Sequence, residues 1–160
     1  MSGWDNFFVA QVGASAALVG LVFVGISLNL TKIMSSGYLP NRAQEAMLVL
    51  LVNLVVSSLF LIPGQSPRSL GVEVLVIGAL AWTLVLALHI DSFRKMDLAF
   101  RRRSAVAALI AQLAALALPV AGAVLISRGA VGAYWLAPGL LLSYVVALAN
   151  AWVLTVEINR

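Results

Sequence analysis

From Phe7 to Leu30 no residue carries a charge, and the run "FFVAQVGASAALVGLVFVGISLNL" is long enough to decide its own solvent. At about 1.5 Å per residue, a helix of that length outreaches the ~30 Å hydrocarbon core of a bilayer. No Lys or Arg precedes the run, it is too long for the apolar core of a cleaved signal peptide, and no small-x-small site ends it. It reads as a retained transmembrane span. Composition agrees: 62% of residues are hydrophobic and 10% charged, where soluble domains have about half and a quarter. The expected fold class is an all-α integral membrane bundle, a single transmembrane domain over residues 1–160.

Hydropathy places five spans at about 7–30, 45–62, 70–90, 105–127 and 134–156. The second stops at Pro63-Gly64, and the connections "TKIMSSGYLPNRAQ" and "IPGQSPRS" hold the Pro, Gly and Ser of turns. No internal repeat is visible, and five spans do not divide into two equal halves, which argues against an inverted-repeat transporter. Five spans leave Arg68 and Arg128 on the side of the N-terminus. Lys32, Arg42, Arg94, Lys95, Arg101, Arg102, Arg103 and Arg160 collect on the other side. Because basic residues stay cytoplasmic, this expects the N-terminus outside, the C-terminus inside, and a multi-pass protein of the bacterial inner membrane. The formal charge of +4 is then a topology signal and not a nucleic-acid footprint. Trp4, Phe7 and Phe8 would meet Tyr134 and Trp135 at the outer interface.

The connection "DSFRKMDLAFRRRS", from Asp91 to Ser104, puts Phe93, Met96 and Phe100 at helical spacing among Arg94, Lys95, Arg101, Arg102 and Arg103. It reads as an ordinary positive loop, as a short amphipathic helix drawn to membrane lipid, or as a surface for an acidic cytoplasmic partner.

At about 100° per residue, Ala10, Gly13, Ala17, Gly20 and Ser27 share one face of the first span. Such faces let helix backbones approach closely in lipid, where packing drives association. Similar stripes hold Gly71 and Gly78 in the third span, Ala108, Ala111, Ala115 and Gly122 in the fourth, and Gly139 and Ser143 in the fifth. Gln11, Ser15 and Asn29 gather on the first span's opposite face. Two faces unsuited to lipid predict a central or partner-facing first helix.

Polar groups in hydrocarbon are costly unless they face protein or water. Asn53, Ser57, Gln112 and Asn150 are the candidate polar cluster; Asn53, Gln112 and Asn150 each lie about two turns from the cytoplasmic end. They would serve interhelical hydrogen bonding or line a hydrated half-channel. Glu73 is the candidate intramembrane acid, with Arg68 or Arg128 as partner, or with a role in proton or cation relay. His89 is expected at an interfacial helix end, ~24 Å along the axis from Glu73. It is also too far from Ser15 to activate it across the bilayer core. Pro119 should kink the fourth span, and Pro138 should fall in the first turn of the fifth.

No cysteine is present, and no HExxH, GxSxG or phosphate-binding glycine loop occurs. No catalytic set, cofactor or metal site is therefore expected. The run "WDNFFVAQVGASAALVGLVFVGISLNL", followed by "LPNRAQEAMLVLLVNLVVSSLFLIPGQ", resembles a group of small bacterial membrane proteins, some of them labelled modulators of the membrane protease FtsH. The resemblance covers about the first 65 residues and is a packing pattern without chemical residues. The residues lead to a non-enzymatic accessory, assembly or regulatory subunit that packs against other integral membrane proteins. The alternative is a small homo-oligomeric channel or transporter using Glu73 and the Asn53/Gln112/Asn150 level.

Overall fold

Two prolines mark where long helices start, because a proline in the first turn forfeits no helical hydrogen bond. Pro40 stands in the first turn of one helix and Pro67 in that of another, where Ser66 caps the start by accepting from the Ser69 N–H at 3.1 Å. In the computed structural model, which describes residues 3–96 and 98–156 and only the backbone of Leu98, Ala99, Phe100, Arg102 and Arg103, every element is helical. They are α1 (Asp5–Leu28), α2 (Leu30–Ser35), α3 (Leu39–Leu59), α4 (Pro67–Lys95), α5 (Leu98–Arg128), a 3-10 turn (Gly129–Val131) and α6 (Gly132–Thr155).

Four helical segments are long and apolar enough to cross a membrane: Asp5–Leu28, Leu39–Leu59, Pro67–Lys95 and Ser104–Thr155. The last, 52 residues long, holds most of α5 and all of α6. Those two helices fold back on each other, since Gly132 packs against Leu125 and Gly139 against Ala117 and Ala114. Gly129, at φ +67°, makes the turn between them in the left-handed region that suits glycine.

The expected boundaries shift in three places. The second span begins at Leu39 instead of residue 45, so "LPNRAQ" is helix and not loop. The stretch Asp91–Ser104, expected as a loop or a separate amphipathic helix, belongs to the long helices: Asp91–Lys95 extend α4, and α5 begins at Leu98. Pro138 lies inside α6, because that helix starts earlier, at Gly132. The short α2 was not anticipated; its Ile33 is buried against Leu39, Ala43 and Leu154, which seals one end of the bundle.

The central helix is α3 and not α1. It packs against α1, α4 and α6, whereas α1 packs mainly on α3. At one end Phe8 of α1 stacks on Phe60, ring centroids 4.1 Å apart, and Trp4 meets Tyr134 edge-on at 4.9 Å. Of the aromatic meeting that the sequence predicts, Trp4 with Tyr134 is observed, whereas Phe8 pairs with Phe60 instead and Trp135 is exposed. Mid-bundle, Val22, Val49, Leu50, Val85, Ala111 and Ala147 form an apolar layer.

Helices α4 and α5 approach closely through glycine. A Cβ at Gly78 would lie 2.7 Å from the Pro119 nitrogen, and one at Gly122 would lie 2.5 Å from the Leu75 nitrogen. Gly71 meets Leu125 and Ile126 in the same way. Pro119 thus marks a packing site: its lost N–H loosens the ladder at the place where Gly78 admits the neighbouring backbone.

Candidate functional site

The early start of α3 carries Glu45 about 9 Å into the helix, by six residues at 1.5 Å each. Among the described residues it is the one buried acid, 5% exposed. Its Oε1 lies 3.0 Å from His89 Nε2 of α4, and its Oε2 accepts from Asn150 Nδ2 of α6 at 3.0 Å. On the far side of the imidazole, Gln112 Nε2 of α5 lies 2.9 Å from His89 Nδ1. An amide nitrogen only donates, so this placement makes Nδ1 the acceptor and puts the ring proton on Nε2, facing Glu45. Arg42, one turn before Glu45, donates through Nη1 to Asn150 Oδ1 and through Nη2 to Ser104 Oγ, both at 3.4 Å. Four helices therefore meet in one chain of hydrogen bonds.

These side chains face a cavity of about 100 Å³ lined by Arg42, Glu45, His89, Ser92, Ser104 and Asn150 on its polar side. Phe93, Met96, Ala107, Ala108, Val145 and Ala149 complete its apolar side. Beside it, Asn41 ties α3 to α4 by donating to Asp91 Oδ2 at 2.8 Å and to Ser92 Oγ at 3.1 Å.

Of the predicted polar cluster, Gln112 and Asn150 are brought together, with His89 and Glu45 between them. Asn53 and Ser57 are not. They lie beyond the Val49–Leu50 layer in a second polar group, where Asn53 donates to the Leu140 carbonyl at 3.0 Å. There Ser15 Oγ sits 2.9 Å from the Tyr144 hydroxyl, which donates to the Gln11 carbonyl at 2.9 Å. Gln11 Oε1, Asn53 Oδ1 and Ser57 Oγ are buried without a hydrogen-bond partner among the described residues.

Glu73 is partly buried near the start of α4 and accepts from Gln65 Nε2 at 3.2 and 3.4 Å. Among the described residues the acid–base contacts within 4 Å are His89–Glu45 and Lys95–Asp91, so neither Arg68 nor Arg128 serves Glu73. Gly71 and Gly78 are buried in the α4–α5 seam. Ala10, Gly13, Ala17, Gly20 and Ser27 are exposed on α1, and a Cβ at Gly13 or Gly20 would meet nothing within 4 Å. Arg94 and Lys95 are exposed at the end of α4, and Arg101 bonds back to the Met96 carbonyl at 3.0 Å. The side chains of Arg102 and Arg103 lie outside the described residues.

Protein-family models, curated proteins and solved structures give no match to this chain. The site is thus interpreted on its own geometry. Sequence reasoning missed Glu45, Arg42 and the partnership of His89. A signal was present: Asn41, Glu45, Asn53 and Ser57 recur at intervals of four or eight, on neighbouring positions of one helix face. That signal was hidden by assigning "LPNRAQ" to a loop.

Proposed function

We propose that the chain is a non-enzymatic accessory or regulatory subunit of a larger inner-membrane complex, docking through the small-residue face of α1. Each of α1, α3, α4, α5 and α6 crosses once, with the N-terminus outside and the C-terminus in the cytoplasm. One contrast carries the reading. Wherever glycine occurs in α4, α5 and α6 within the bundle, a backbone or side chain of the same chain fills the space above it, yet Gly13 and Gly20 are open. Rotation of α1 cannot close them. Ser15 and the Gln11 carbonyl are held by Tyr144, and Phe8 is held by Phe60, so the open face stays outward.

The test is purification from the native membrane in mild detergent. Stoichiometric foreign subunits should accompany the wild type, and Gly13→Leu with Gly20→Leu should release them while the protein stays folded. Recovery of a homogeneous homo-oligomer from both proteins would end this reading.

A second reading is favoured by a different observation, the Glu45–His89 pair beside a cavity. Ionisable groups in a membrane interior commonly mark proton or ion pathways. On that reading the chain is a small homo-oligomeric channel or transporter whose acid is Glu45, supported by Gln112 and Asn150, in place of Glu73.

A further inference from the structure

Arg42 is the cation of the hydrogen-bonded chain, and it reaches the Glu45 carboxylate only through Asn150, without direct contact. Both oxygens of Glu45 are engaged by His89 and Asn150, and the guanidinium is left with two neutral acceptors at 3.4 Å. Among the described residues no carboxylate stands within ion-pair distance of it. A guanidinium placed this way offers further donors to an oxyanion, and its planar fork suits phosphate.

The surrounding walls narrow the ligand. The cavity's other side is apolar, and Val145, Ala107 and Ala149 are exposed, so this wall runs out to the bundle's lipid-facing surface. Helices α5 and α6, which meet backbone to backbone at Gly132 and Gly139, line an open trough at Ala107 and Ala149. Arg94, Lys95 and Arg101 stand at the same end of the molecule and raise the local concentration of anions. We propose that this cavity is a binding site for one anionic phospholipid: its phosphate on the free N–H groups of Arg42 beside Ser104, its acyl chain in the α5–α6 trough over Ala107, Val145 and Ala149. This inference is independent of the docking role of α1.

Native mass spectrometry of the purified full chain, with phosphatidylglycerol or phosphatidylcholine added, tests it, with the thermal unfolding midpoint read in parallel. One phosphatidylglycerol should be retained in preference to phosphatidylcholine and should raise the midpoint, while inorganic phosphate alone should not. Arg42→Gln should weaken retention by about tenfold, the order expected for loss of a charge-assisted contact, and Arg42→Lys should keep most of it. Ala149→Leu, an exposed position whose larger side chain fills the trough, should also displace the lipid; it decides the matter if Arg42→Gln does not fold. Equal retention by Arg42→Gln, or by Ala149→Leu where that variant decides, would overturn the proposal by leaving the lipid to the outer basic residues. An equal midpoint shift with inorganic phosphate would overturn it in favour of a free-anion site.

Discussion

Glu45 shows how much one carboxylate can organise. Removing it by Glu45→Ala leaves His89 Nε2 and Asn150 Nδ2 without an acceptor, in a site that opens further as the side chain shrinks. Each unpaired buried group costs about 1–3 kcal/mol, so Glu45→Ala should lower the unfolding midpoint in detergent markedly. Glu45→Gln should cost much less, because the chain of hydrogen bonds can reverse. The new Oε1 accepts from Asn150, the new Nε2 donates to His89 Nε2, and His89 Nδ1–H donates to a turned Gln112 amide. If the second functional reading is right, the same Glu45→Gln variant should abolish proton flux in liposomes and Glu73→Gln should leave it intact. Equal flux from Glu45→Gln and wild type removes Glu45 from any pathway. His89 itself was legible in the sequence only as a residue near a helix end. Its partner lies 44 positions away on another helix, and spacing along one helix says nothing about which neighbour supplies the acid.

At the scale of the helix, glycine separates two kinds of close-packing surface. Gly78 is filled by Pro119 and Leu118, so Gly78→Leu forces the α4–α5 seam apart and should destabilise the fold by about 1–3 kcal/mol or more. Gly13→Leu, over open space, should leave the unfolding midpoint of the isolated protein within error. Thermal unfolding of the two variants side by side checks the contrast, and comparable losses from both would show that α1 is packed in solution. The existence of the long helices was plain from hydropathy, because lipid demands long uncharged runs. Their ends were not. The first turn of α3 reads as a loop because it contains Pro40, Asn41 and Arg42, and Glu45 reads as the first residue of its span; the cost of these polar groups is met by α4, α5 and α6 and not by neighbours in sequence. Likewise, one stripe of small residues looks like another until the partner helices are in place.

For the whole molecule, the charge asymmetry is the ground for the orientation proposed above. With no native cysteine to remove, Ala130→Cys in the turn before α6 should react with an impermeant thiol reagent applied outside, and Ser35→Cys at the end of α2 only after permeabilisation. The reverse pattern would invert the assignment. The bundle also has a layered interior: Arg42, Glu45, His89 and Asn150 at one level, Val49, Leu50, Val85 and Ala147 at the next, then Asn53, Ser57 and Tyr144. The apolar layer between the two polar ones is an electrical insulator. On the channel reading, an ion passing from Glu45 to Asn53 would have to cross that layer, and a full membrane voltage is worth about 2.3 kcal/mol per unit charge for each 100 mV.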